Sequence, residues 1–205
     1  MQIDRQALTL ILASNNSHKV REVRSILEGT NIVVRPLSEF PQIPDPPETG
    51  DTFEANALQK AHFVFERTGL PTMADDSGLS VDALNGAPGV YSKRYTPEAT
   101  AEANNTKLLQ VMKNERNRTA RFSCAIAIVC ETGEQVLMGH CEGQIADHER
   151  GDGGFGYDPL FVPALHPKRH MAELTETEKN TISHRGVALK SLRQALISLQ
   201  LLEEN

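Results

Sequence analysis

Two carboxylates and a hydroxyl stand side by side at Asp75-Asp76-Ser77, after an apolar segment and before Gly78. Oxygen donors grouped in this way suit a hard divalent cation and the water it activates. Adjacent like charges in a partly enclosed cleft need a cation or several hydrogen-bond donors to offset them. Asp, Ser and Gly are also ordinary turn residues, so the run predicts a turn at the end of a strand. Its role there is either metal-bearing or merely solvated. Cys124, Cys130 and Cys141 offer neither paired zinc spacing nor a His-centred activating arrangement, so packing is their expected work and they are poor nucleophile candidates.

A second polar run, Ser14-Asn15-Asn16-Ser17-His18-Lys19, follows the apolar stretch Leu8 to Ala13. Val20, Val23, Ile26 and Leu27 then recur at helical spacing, which places the run between a first strand and a first helix. Exposed amides at a helix start, with Lys19 beside them, read as a phosphate site. The P-loop glycine spacing and its Gly-Lys-Ser/Thr ending are missing. Simple capping by Ser14 to Ser17 is the plainer alternative.

Two further clusters lie downstream. Gly151-Asp152-Gly153-Gly154-Phe155-Gly156-Tyr157-Asp158-Pro159 combines glycines that permit close backbone approach with two aromatic rings and an acid. Lys179 and Ser183-His184-Arg185-Gly186 precede a terminal helix, and these cations and this imidazole can meet phosphate or purine oxygens. Each cluster also has a structural alternative, as a tight turn or as helix capping.

The elements that must position these groups alternate as in an α/β protein. Strands are expected near Leu8 to Ala13, Ile32 to Leu37, Ala120 to Cys130, Gln135 to Cys141 and Leu160 to Val162. A helix running to about Phe65 is expected to start at Asp51-Thr52-Phe53-Glu54, with Asp51 and Glu54 as a capping box. Asn56 and Lys60 share one face of it, one turn apart. Pro41 through Gly50 forms a restrained excursion before that helix. Another helix is expected from about Glu98 to Met112, and a single one after Ser183-His184-Arg185. Phe122, Cys124, Ile126 and Ile128 have the period of a sheet covered chiefly on one face.

A chain of 205 residues, 39% hydrophobic and 23% charged, can bury one substantial core, and one structural unit over 1–205 is expected. The net charge of −6 argues against a nucleic-acid polymer as partner, though not against a small nucleotide in a locally basic cleft. No secretory leader pattern and no apolar run of membrane-spanning length is present, which points to a cytoplasmic protein without a membrane partner.

Taken in order, these motifs resemble the inosine triphosphate pyrophosphatase family, the non-canonical purine nucleoside triphosphate pyrophosphatases. The resemblance covers nearly the whole chain and rests on Ser14 through Lys19, Glu48-Thr49-Gly50, Glu54-Asn56-Ala57 with Lys60, Asp75 through Leu79, Phe155-Gly156-Tyr157-Asp158 and Ser183 through Gly186. It implies an α/β fold with an elongated mixed central sheet flanked by helices, two lobes around a nucleotide cleft, and a homodimer. It implies hydrolysis of ITP, dITP and XTP to the monophosphate and pyrophosphate. Ser14, Asn15, Asn16, Ser17, His18 and Lys19 would bind phosphate, with Ser77, Phe155, Gly156, Tyr157, Asp158, Lys179, His184 and Arg185 also contacting substrate. Glu48 and Asp76 would hold Mg2+, and Asp76 would act as base or orient water, alone or sharing the work with Asp75. Asn15 and His18 replace small residues common in the family's first segment, and Pro47 replaces a frequent acid beside Glu48. A broad phosphatase releasing inorganic phosphate and a non-enzymatic nucleotide-binding module are the competing functions.

Overall fold

The computed structural model describes residues 7–204. Six strands form a mixed sheet in the order β2-β1-β3-β4-β5-β6: β1 (Leu8–Leu12), β2 (Ile32–Pro36), β3 (Thr72–Val81), β4 (Thr119–Cys130), β5 (Gly133–Ile145) and β6 (Phe161–Pro163). β1 runs parallel to β2 and β3, while β5 and β6 are antiparallel. The helices are α1 (Ser17–Ile26), α2 (Phe53–Thr68), α3 (Ala101–Val111), α4 (Glu176–Ile182), α5 (His184–Leu189) and α6 (Leu192–Ser198). No helix among the described residues is long and apolar enough to cross a membrane.

The chain divides into two compact units. One comprises the residues up to Asp76, Ala125–Leu137 and those from Ala188 onward; the other comprises Ser77–Cys124 and Met138–Val187. Strands β3, β4 and β5 each contribute residues to both. Leu10, Ile11, Leu12, Val23, Val34, Ala57, Ala61, Val64 and Met73 are buried in the first unit. In the second, Leu79, Val81, Leu108, Met112, Phe122, Ile145, Tyr157, Leu160 and Phe161 belong to one packed cluster.

Several local expectations need correction. Asp75-Asp76-Ser77-Gly78 is not a turn but the middle of β3. Backbone pairing in the sheet overrides the turn propensity of those residues, because ladder bonds satisfy the main-chain groups that an Asx turn would otherwise engage. α2 is capped by Thr52, whose hydroxyl accepts from the Ala55 amide, so Asp51 does not head a capping box. β4 is buried at every residue from Phe122 to Cys130, because an interior strand is covered on both faces. The terminal helix is broken into α5 and α6 at Lys190-Ser191.

Candidate active site

Successive side chains of a strand point to opposite faces, so Asp75 and Asp76 are separated by the pleat of β3. The β1 partners of β3 are Ile11 with Thr72 and Leu12 with Met73, so both acids lie beyond the carboxyl end of β1. There β1 turns through Ser14-Asn15-Asn16 into α1, and the Lys19 ammonium donates to Asp75 Oδ1 at 2.7 Å. The Asn16 amide donates to Ser14 Oγ, and Asn15 and Asn16 are exposed. The side chains of Ser17 and His18 lie outside the described residues.

Asp76 belongs to a different set of contacts. Asn56 Nδ2 donates to its Oδ2 at 3.0 Å, and Lys60 Nζ lies 3.4 Å from its Oδ1. The same Lys60 ammonium donates to Glu48 Oε1 at 2.6 Å. Asn56 and Lys60 are buried and stand one turn apart on α2, as their shared face predicted. Burial raises the Asp76 carboxyl above the ordinary carboxylate value, against the opposing pull of Lys60 and Asn56. Burial lowers the affinity of Lys60 for its proton, but Asp76, Glu48 and Asp75 outweigh it and the net shift is upward.

Glu48 reaches this cluster because its proline-rich segment is tied to α2. Thr49 N–H donates to Gln59 Oε1, Gln59 Nε2 donates to Thr49 Oγ1, and Gly50 N–H donates to Asn56 Oδ1 at 2.7 Å. Gly50 is glycine because a Cβ there would approach within 2.8 Å of the Ala55 Cβ. Asn56 thus joins the excursion to β3 with one amide group. Sequence reading found the shared face of Asn56 and Lys60 but not this junction, and it missed Gln59, whose i+3 relation to Asn56 was the available signal.

No group of three or more acidic, His or Cys ligands stands ready among the described residues. Glu48 and Asp76 nevertheless present hard oxygen donors within reach of one ammonium. That donor set fits Mg2+, which is commonly held by one or two carboxylates plus water and phosphate oxygens.

In the second unit the Phe155–Asp158 segment is an irregular loop held from within. Asp158 is buried; its Oδ2 accepts from the Phe155 N–H at 2.7 Å and from Lys179 Nζ at 2.5 Å. Lys179 also lies over the Phe155 ring, 4.5 Å from its centroid, while that ring is 60% exposed. Tyr157 turns the other way, burying its ring and donating its hydroxyl to Ser92 O at 2.9 Å. Its removal from water drives its pKa well above the usual phenol range.

His184 and Arg185 open α5 and are buried. The His184 ring stacks on Phe122 with centroids 5.0 Å apart and planes 16° apart. Ser183 Oγ accepts from the Gly186 N–H, closing the turn between α4 and α5. Ser77 is half-buried within β3. The second unit therefore offers an exposed aromatic face backed by a cation, and the first an acid and lysine cluster.

Residues 10–195 match the sequence model of the Ham1 family. The chain belongs to the Ham1 family. Among its relatives, proteins named dITP/XTP pyrophosphatase from Lactiplantibacillus plantarum and Geobacter sulfurreducens are each 48% identical, the matches covering 90% and 91% of this chain and 92% and 96% of theirs. A HAM1 protein from Coxiella burnetii has the same fold, with a TM-score of 0.88 at 44% identity over 93% of this chain and 99% of that one. The Staphylococcus aureus Ham1 protein gives 0.86 at 39% identity over 94% and 99%. The Ham1 fold thus extends across nearly all of the chain, and the α/β mixed sheet expected from sequence is the one observed.

Proposed function

We propose that this Ham1 family protein hydrolyses the non-canonical purine nucleoside triphosphates ITP, dITP and XTP to the nucleoside monophosphate and pyrophosphate, removing them from the nucleotide pool. The observation that carries the reading is the meeting of Glu48, Asn56, Lys60 and Asp76 in one part-buried polar cluster, in a chain whose relatives bear the name dITP/XTP pyrophosphatase.

Lys19 and Lys60 supply positive charge for the polyphosphate, and Ser14, Asn15 and Asn16 supply polar groups beside the start of α1. Glu48 and Asp76 would hold Mg2+, which when bound neutralises phosphate charge and draws electron density from the α phosphorus. Asp76 orients the attacking water and accepts its proton. Asp75 is already engaged by Lys19, which makes it the supporting acid. Water oxygen bonds to the α phosphorus, the bond to the bridging oxygen breaks, and that oxygen leaves with pyrophosphate.

Phe155 offers its exposed face to a purine, and Lys179, His184 and Arg185 offer donors. A donor aimed at a C6 carbonyl accepts hypoxanthine or xanthine, whereas the adenine amino group would meet it with a second donor. Such a buried mismatch costs about 1–3 kcal/mol. The working form in this reading is a cytoplasmic homodimer, which light scattering of the purified protein tests.

Turnover of ITP in 18O-labelled water tests the site of attack. The label is expected in the monophosphate. Label in pyrophosphate, or release of inorganic phosphate with a diphosphate, would contradict attack at the α phosphorus.

A further inference from the structure

We propose that Asn105 is a positioning residue for the Phe155–Asp158 loop, holding the Gly156 carbonyl so that the Phe155 ring stays presented to the purine; this rests on the reading that the loop receives the base. Asn105 lies on α3 and is only 3% exposed. Its Nδ2 donates to Gly156 O at 3.2 Å, while its Oδ1 meets no donor among the described residues. An apolar side chain would fill a buried helix position without leaving an acceptor unsatisfied. What the amide supplies in return is one donor, and that donor goes to the loop.

The target is the glycine between the loop's two aromatic residues. Gly156 has φ +60, a left-handed conformation, and a Cβ placed there would touch nothing within 4 Å. Phe155, its neighbour, is held through its N–H to Asp158, and Tyr157, the other neighbour, through its hydroxyl to Ser92 O. Ser92 is itself anchored: its Oγ accepts from the Leu79 N–H, and its carbonyl also accepts from Nδ2 of Asn104. The adjacent pair Asn104-Asn105 therefore serves two ends of one arrangement. Asn104 fixes the segment that receives Tyr157, and Asn105 fixes the glycine between Phe155 and Tyr157.

The test compares ITP kinetics of the full-length protein with those of Asn105→Ser, Phe155→Ala and the double variant, with melting temperature recorded for each. Asn105→Ser is expected to raise KM about tenfold while kcat stays within about twofold, as for a group that positions a binding surface. The double variant is expected to be no worse than Phe155→Ala alone, since both act through one ring. Asn105→Leu keeps a similar side-chain volume and removes the amide donor, so it carries the same KM test if the serine variant fails to fold. A raised KM in Phe155→Ala with an unchanged KM in a folded Asn105 variant would overturn this proposal alone. An unchanged KM in Phe155→Ala would overturn the role of the loop, and this proposal with it.

Discussion

Asp75 and Asp76 are chain neighbours, yet each carboxylate meets a different lysine: Asp75 is 2.7 Å from Lys19 and Asp76 is 3.4 Å from Lys60. The strand pleat separates two charges that a turn would have crowded together. One consequence is a division of work. Asp76→Asn should lower kcat by about 10²- to 10⁴-fold, the range of a lost general base. Equilibrium binding of ITP to that variant should stay within an order of magnitude of the parent, and loss of binding equal to the loss of rate would remove the distinction.

Asp75→Asn acts first on stability. Asp75 is buried and Lys19 mostly so, and the substitution removes a charge-assisted bond worth about 2 kcal/mol. Chemical denaturation should show that loss, and a midpoint equal to the parent's would show that the pair is not a net contributor.

Lys60→Met leaves Glu48 and Asp76 close together without the ammonium that meets both. Repulsion then adds to burial in raising the Asp76 carboxyl. The rate at neutral pH should fall by about 10²- to 10³-fold, the range of one lost charge-stabilising group. The acid limb of the pH–rate profile should move upward. A profile that moves downward would contradict the role assigned to Lys60.

Asn56→Ala removes both the acceptor for Gly50 N–H and the donor to Asp76 at a residue only 1% exposed. A loss of about 1–3 kcal/mol is expected, with a melting point lower by roughly 2–4 °C per kcal/mol for a chain of this size. The rate should fall with it, because Glu48 would lose a tie that brings it to Lys60.

Glu178, in the second unit, gives a pH-dependent test of a single ion pair. Arg169 beside it, with the Thr175 amide and hydroxyl, lowers its carboxyl from 4.5 to about 2. A depressed folded-state pKa contributes stability that is fully present above 4.5 and is lost as pH falls toward about 2. Melting curves of the parent and Glu178→Gln should converge across that window. A constant gap between them would mean that the carboxylate does not stabilise the α4 start through its charge.

The sequence made the parts of the site visible through chemistry that is local. Lys19 at a strand-to-helix junction and Asn56 with Lys60 on one helix face follow from spacing alone. The conformation of Asp75-Asp76-Ser77-Gly78 did not, because partners far along the chain turn a local turn signal into a strand. The cap at Thr52 instead of Asp51 turned on a difference of one residue that propensity does not resolve. Asn105 was invisible for another reason: an Asn within a helix pattern carries no mark of the carbonyl it meets 51 positions later. Break points such as Lys190-Ser191 depend on how the last helices pack, and the apolar periodicity there ran through them.

Product analysis with Mg2+ and separate samples of ITP, XTP, ATP and GTP tests the central claim most directly. The predicted result is conversion of ITP and XTP to monophosphate and pyrophosphate in equal amounts, with ATP turned over far more slowly. Equal turnover of all four, or diphosphate with inorganic phosphate as the products, would contradict it.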